Sequence, residues 1–96
     1  MTTLELLRNR RADIGAVAAA HGARDVRVFG SVARQDDGPE SDIDLLVRFD
    51  PGTSLLDHAG LAIELERILG RRVDVVSERG LKERIRQRVL QEATPL

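Results

Sequence analysis

The chain has 96 residues and a mass of 10.6 kDa, a length that suits one domain with a modest core. Its 15 Lys and Arg against 16 Asp and Glu leave a formal net charge of -1, which removes bulk electrostatic attraction to nucleic acid or membrane. The lack of cysteine excludes disulfide scaffolds, thiol chemistry and Cys-based zinc sites. Two Phe without Tyr or Trp offer no stacking platform for single-stranded nucleic acid, so direct nucleic-acid binding is not expected. No apolar run approaches bilayer-spanning length, and Met1 to Arg11 lack the apolar stretch of a secretory signal. The expectation is a cytoplasmic protein with no membrane partner.

Leu4, Leu7, Ile14, Val17 and Ala18 recur at near-helical spacing, and Ala16 to Ala20 favour helix. One helix is predicted over about residues 3–21, capped by Thr2 or Thr3 and stopped at Gly22. Val26–Phe29 is short, alternating and β-branched, which predicts a strand. Gly30-Ser31 ends it, and Val32–Arg34 reads as a helical turn. Gln35–Ser41 is a polar loop turning at Gly38-Pro39. A second strand covers Asp42–Phe49 and is broken by Asp50–Thr53. Ser54 caps a helix running to about Leu69 and closed by Gly70. Val73–Val76 is a third strand. Ser77 and Gly80 introduce a last helix through about Glu92, with Leu81, Ile85 and Val89 on one stripe and Pro95 beyond it. This order predicts a single α/β (α+β) domain over residues 1–96, a small mixed sheet of three main strands flanked by helices.

Charge is balanced overall but unevenly placed. Nine acidic residues and one basic one lie between Asp36 and Glu66, and eight basic and three acidic ones between Arg67 and Arg88. Most of these read as solvated faces of helices and loops. The second strand is different. Side chains alternate along a strand, so Ile43, Leu45 and Val47 form an apolar face, while Asp42 and Asp44 share the other with Leu46. Two carboxylates on neighbouring same-face positions repel each other and raise their own proton affinity unless a cation or donor compensates. Aspartate is also a poor strand residue, and local rule-breaking of this kind marks functional sites. Divalent metal explains the pair: Mg²⁺ takes oxygen ligands and bridges carboxylates to substrate phosphates, and two such ions about 4 Å apart clamp an in-line displacement at phosphorus. The competing explanation is a pair of solvated strand-end charges capping the preceding loop. Gly30-Ser31 shifts the balance, because glycine permits close backbone approach to a ligand and the serine hydroxyl suits phosphate oxygens.

Gly30-Ser31, ten residues, then Asp42-x-Asp44 resembles the Gly-Ser-x10-Asp-x-Asp signature of the DNA polymerase β-like nucleotidyltransferases. The fuller stretches Phe29–Arg34 and Ser41–Val47 resemble the minimal nucleotidyltransferases of prokaryotes, a family that includes antitoxin partners of HEPN-domain toxins. The resemblance covers nearly the whole chain, and the motif is highly specific for fold. It implies that Gly30 and Ser31 grip the nucleotide triphosphate, that Asp42 and Asp44 hold two Mg²⁺ ions, and that a third carboxylate comes from a neighbouring strand. Asp74, on the face opposite Val73 and Val75, matches that third position; in the family such a carboxylate ligates metal and accepts the proton of the attacking hydroxyl. Arg34 is a candidate phosphate contact. Relatives commonly carry Gly where this chain has Gln35, and a positive φ there would cost Gln more than Gly.

The implied activity is transfer of a nucleotide, with ATP as donor, to a hydroxyl of a partner HEPN toxin, with tyrosine as the expected acceptor. Three strands and a few helices can build the donor half of such a site and leave little for an acceptor. A second protein, hence a hetero-oligomer, is expected to supply it. Leu55, Leu56, Leu61, Ile63, Leu65, Ile68 and Leu69 spread wider than one buried stripe, so part of that helix should remain open to a partner. The alternative is a catalytically weak antitoxin that neutralises its partner by binding alone. His21 and His58 stand isolated without metal-ligand spacing, and the arginines of the last helix read as a solvated surface.

Overall fold

The computed structural model describes Met1–Leu96 and holds five α-helices, a 3-10 turn and one four-stranded sheet. Helix α1 (Thr3–Asn9) opens with a capping box: the Thr2 hydroxyl accepts from the Glu5 N–H, and the Glu5 carboxylate accepts from the Thr2 N–H. Arg10 leaves the helical region at φ -105°, and α2 (Arg11–Ala20) begins at once. The single helix expected over 3–21 is therefore two. Arg10 donates from Nη1 to the Ile68 carbonyl at 3.1 Å, a long-range anchor that no local pattern announces.

Strand β1 (Ala23–Phe29) starts earlier than the alternation suggested, because Asp25 sits at φ 54° and the register slips between Arg24 and Arg27. A bulge of this kind breaks the period-two pattern on which a strand is recognised. Helix α3 (Gly30–Arg34) is one short turn. Strand β2 (Ile43–Phe49) runs antiparallel to β1, so Asp42 lies just outside the strand predicted to begin with it. Helix α4 (Leu55–Leu69) has the expected Ser54 cap, here a capping box with Asp57, and closes at Gly70 with φ 68°. It crosses over to β3 (Val73–Ser77), which is parallel to β2. A 3-10 turn (Glu78–Gly80) takes the first part of the last predicted helix, so α5 starts only at Glu83 and runs to Glu92. A fourth strand, β4 (Thr94–Pro95), pairs antiparallel with β1. Two residues including a proline, which has no N–H to donate, are too short a run to read as a strand beforehand.

The sheet order is β3-β2-β1-β4, the mixed sheet expected with one short edge strand added. Ile43, Leu45, Val47, Val73, Val75 and Val28 face one way and pack with Leu4, Leu7, Ile14, Ala18, Leu61, Leu65 and Leu69 in a single core. Ala23 and Val32 complete that core, and the two buried residues outside it are Leu46, on the opposite face of β2, and Val89 of α5. That opposite face is the one carrying Asp44. On the outside of α4, Leu55, Leu56 and Ile63 are 86%, 84% and 67% exposed, as the wide apolar spread of this helix implied.

Candidate active site

Antiparallel pairing brings the end of β1 to the start of β2, and parallel pairing brings the start of β3 beside it. Phe29 lies opposite Asp44, and Asp44 lies opposite Asp74. Residues in register on neighbouring strands point to the same face, so Asp44 and Asp74 stand side by side while Val73 and Val75 enter the core. Asp42 is two residues upstream, on the same side, where the Arg72 Nε reaches its Oδ1 at 3.0 Å. The third carboxylate is thus next to the Asp-x-Asp pair.

Gly30 has φ 71°, and a Cβ there would collide with the Asp44 Oδ2. Glycine is needed at this position on two counts: the left-handed backbone and the approach of Asp44. Its N–H donates to Glu92 Oε2 at 3.1 Å. Ser31 follows within the same turn and is half-buried. Arg34 closes the turn, with its Nη1 on Glu92 Oε1 and its Nε on Asp36 Oδ2 at 3.3 Å. These contacts, Glu92 first and Asp36 second, raise the Arg34 pKa further above its ordinary value. Sequence reasoning did not find Glu92. The available signal was an acid three residues beyond Val89 on the otherwise apolar stripe of the last helix.

The electrostatics record the crowding. The Asp44 carboxyl is pushed up from 3.8 to about 6, by burial first and then by the charges of Asp74, Asp42 and Glu92, with Arg34 opposing. An all-oxygen donor set of mutually repelling carboxylates is the chemistry a hard divalent cation such as Mg²⁺ neutralises. Asp42, Asp44 and Asp74 fit that requirement by donor type, and Asp44 and Asp74 also by their register. They do not form a closed three-ligand cage: no three acidic or imidazole groups approach closely enough. Asp42 is instead turned onto Arg72.

Gln35 adopts φ 60° and ψ 33°, so the loop after Arg34 does require the left-handed conformation. The strain should be measurable. Replacing Gln35 with Gly is expected to stabilise the protein by about 0.5–1 kcal/mol, the left-handed penalty less the extra backbone entropy of Gly. That corresponds to a rise in melting temperature of roughly 2–8 °C by differential scanning calorimetry. A fall instead would mean that Gln35 makes compensating contacts.

The two histidines have structural partners. His58 Nε2 donates to the Val75 carbonyl at 2.6 Å and its ring lies 5.0 Å from that of Phe49, while His21 meets Glu64 at 3.3 Å. The largest cleft, about 660 Å³, is lined by Arg24, Arg48, Glu78, Arg79 and Arg86 near the other end of the sheet. Three of its four arginines are already engaged: Arg48 with Glu78 at 2.6 Å and with Asp25, Arg24 with Asp50 at 3.0 Å, and Arg86 with the Glu78 carbonyl at 3.0 Å. None of Asp42, Asp44 and Asp74 lines that cleft.

A serine-bearing turn thus follows one strand, and aspartates stand in register on the next two. Residues 14–96 match the nucleotidyltransferase domain family, and the chain belongs to that family and is an enzyme of that class. It is 44% identical over 71 residues to the protein adenylyltransferase MntA of Thermococcus cleftensis, a match covering 74% of this chain and 72% of that protein. The solved structure of a provisionally assigned minimal nucleotidyltransferase shares 57% identity and a TM-score of 0.88, covering 100% of this chain and 97% of the other. A toxin–antitoxin structure with AMP-PNP has the same fold, at a TM-score of 0.74 and 22% identity over 91% of this chain and 69% of that one.

Proposed function

We propose that this chain is a Mg²⁺-dependent protein adenylyltransferase of the cytoplasm, an antitoxin that moves AMP from ATP onto a hydroxyl of a HEPN-domain toxin. The observation that carries the reading is the register of Asp44 with Asp74 beside the Gly30-Ser31 turn. Asp42, Asp44 and Asp74 would hold two Mg²⁺ ions, which supply charge neutralisation at the phosphates. Ser31 and Arg34 bind the triphosphate. Gly30 leaves the space through which the turn and Asp44 approach each other. The acceptor oxygen attacks the α-phosphorus, and the bond from that phosphorus to the β-phosphate bridging oxygen breaks. Pyrophosphate leaves, and the hydroxyl proton passes to Asp74. Both ends of the exchange are balanced without any further reactant.

The acceptor is another molecule if it is a tyrosine, since this chain contains none. The kinship with a named protein adenylyltransferase supports AMP as the transferred group, and the shared fold with a toxin–antitoxin structure is in keeping with a toxin partner. The exposed Leu55, Leu56 and Ile63 give a hetero-oligomer an apolar surface to cover.

Incubating the protein with partner toxin, Mg²⁺ and each nucleoside triphosphate in turn, and weighing the partner by mass spectrometry, tests this. The expected result is a gain of one or more AMP units with ATP, reduced about a thousandfold in rate by Asp42→Ala or Asp44→Ala. Neutralisation that survives both substitutions, with no change in mass, would instead make the protein an occluding antitoxin.

A further inference from the structure

We propose that Glu92 is a positioning residue of the nucleotide site: from the end of α5, its single carboxylate fixes where the α3 turn and the Arg34 guanidinium face. The inference rests on the phosphate-binding role proposed above for Arg34. Oε2 of Glu92 takes the N–H of Gly30 at 3.1 Å, and Oε1 takes Nη1 of Arg34. The same carboxylate therefore grips the first residue of the turn by its backbone and the last by its side chain. Asp36 holds the Arg34 Nε from the other side. With those two positions of the guanidinium occupied, Nη2 is the part left for a phosphate, and the side chain is still 52% exposed. A planar fork held on two sides loses little freedom when it binds a third anion.

Glu92 is itself well fixed. Its side chain is only 18% exposed. Val89, three residues earlier, is buried, and the Ala93 N–H closes on the Val89 carbonyl at 2.8 Å. Thr94 then pairs with Val28 in β4, and its hydroxyl bonds the Glu92 carbonyl at 3.2 Å. The short edge strand thus anchors the residue that aims Arg34. A mostly buried carboxylate whose charge reaches Asp44 adds repulsion that a neutral residue would avoid. A conflict of this kind between local energetics and fold is characteristic of functional positions.

The test is a double-mutant cycle on MgATP binding by isothermal titration calorimetry, with melting temperatures taken alongside. Glu92→Ala is expected to weaken binding about tenfold, the worth of one oriented charge-assisted hydrogen bond. Glu92→Gln, whose amide oxygen still accepts from Gly30 but cannot form the ion pair, should weaken it less. It also serves if the alanine variant fails to fold. Arg34→Ala should lose a similar factor, and the double variant should bind no worse than Arg34→Ala alone, because Glu92 acts through Arg34. In the transfer assay the KM for ATP should rise for Glu92→Gln with kcat nearly unchanged. Unchanged affinity, or additive losses, would overturn the proposal. So would tighter binding, which is what an internal carboxylate competing with phosphate predicts. Wild-type protein that fails to bind MgATP would sink the adenylyltransferase reading itself, whereas wild-type binding with indifferent Glu92 variants sinks this inference alone.

Discussion

Gly30→Ala should lose nucleotidyl transfer by at least about a hundredfold and melt roughly 5–10 °C below the wild type. The added methyl would overlap the Asp44 Oδ2, with backbone on one side and a half-buried carboxylate on the other, so something must shift. If the turn swings away, Ser31 and Arg34 leave the aspartates; if Asp44 rotates, it leaves Asp74. Displacements of about 1 Å in a reacting constellation cost on the order of a hundredfold. The stability loss has a separate origin. A φ of 71° costs a non-glycine residue about 1–2 kcal/mol, which in a domain of this size is several degrees. Labelled AMP incorporation and calorimetry separate the two effects. A variant that turns over normally would show that Asp44 does not need the place the fold gives it.

The opposite sign is expected at Asp44 itself. Asp44→Asn should stabilise the metal-free protein at pH 7.5 by about 1 kcal/mol, or roughly 4–8 °C in melting temperature. The folded carboxyl titrates at about 6, above its ordinary value of 3.8, so the folded chain holds this proton more tightly than the unfolded one. The contribution of the protonated group is complete below about pH 4 and is lost as pH rises through about 6. The full shift would be worth about 3 kcal/mol, and the reduction to about 1 kcal/mol reflects solvent screening of a group that is only half-buried. Wild-type protein without metal should therefore gain stability from this group on going from pH 7.5 to 5, and Asp44→Asn should lack that gain. Mg²⁺ should raise the melting temperature of the wild type at pH 7.5 and leave the variant almost unmoved. Destabilisation by Asp44→Asn in the absence of metal would contradict the account of crowded carboxylates.

What could be read beforehand was whatever short-range periodicity encodes. The Ile43-Leu45-Val47 alternation placed Asp44 on the far face from the core, and the Val73-Val75 alternation did the same for Asp74. The Ser54 cap and the Gly70 stop bounded α4 correctly because capping chemistry is local. The misses share a cause as well. Arg10 breaks the first helix where it meets the Ile68 carbonyl, 58 positions away, and Glu92 joins the site only because α5 packs against α3 and β4 pins its end to β1. The bulge at Asp25 erased the pattern that would have extended β1 to Ala23. The left-handed position at Gln35, flagged by its difference from the Gly of relatives, shows the reverse: there a local rule sufficed.

The crossover between the two parallel strands has a last consequence. β2 leads away from the aspartates, so α4 must travel back toward them and arrive with its carboxyl end foremost. In dinucleotide-binding folds the helix following the first strand offers its amino end to phosphate, and the macrodipole attracts the anion. Here the returning helix adds negative potential on the aspartate side of the molecule. The two arginines that follow it do not offset this for a ligand, since Arg72 is spent on Asp42 and Arg71 on the Ser41 carbonyl, the Thr3 hydroxyl and Asp37. Together with Asp42, Asp44 and Asp74, that helix end would oppose the approach of a polyphosphate without a cation. If Mg²⁺ is held there as proposed, chelation should abolish ATP binding in calorimetry rather than merely slow the chemistry, and the cation would be an admission requirement as well as a catalyst.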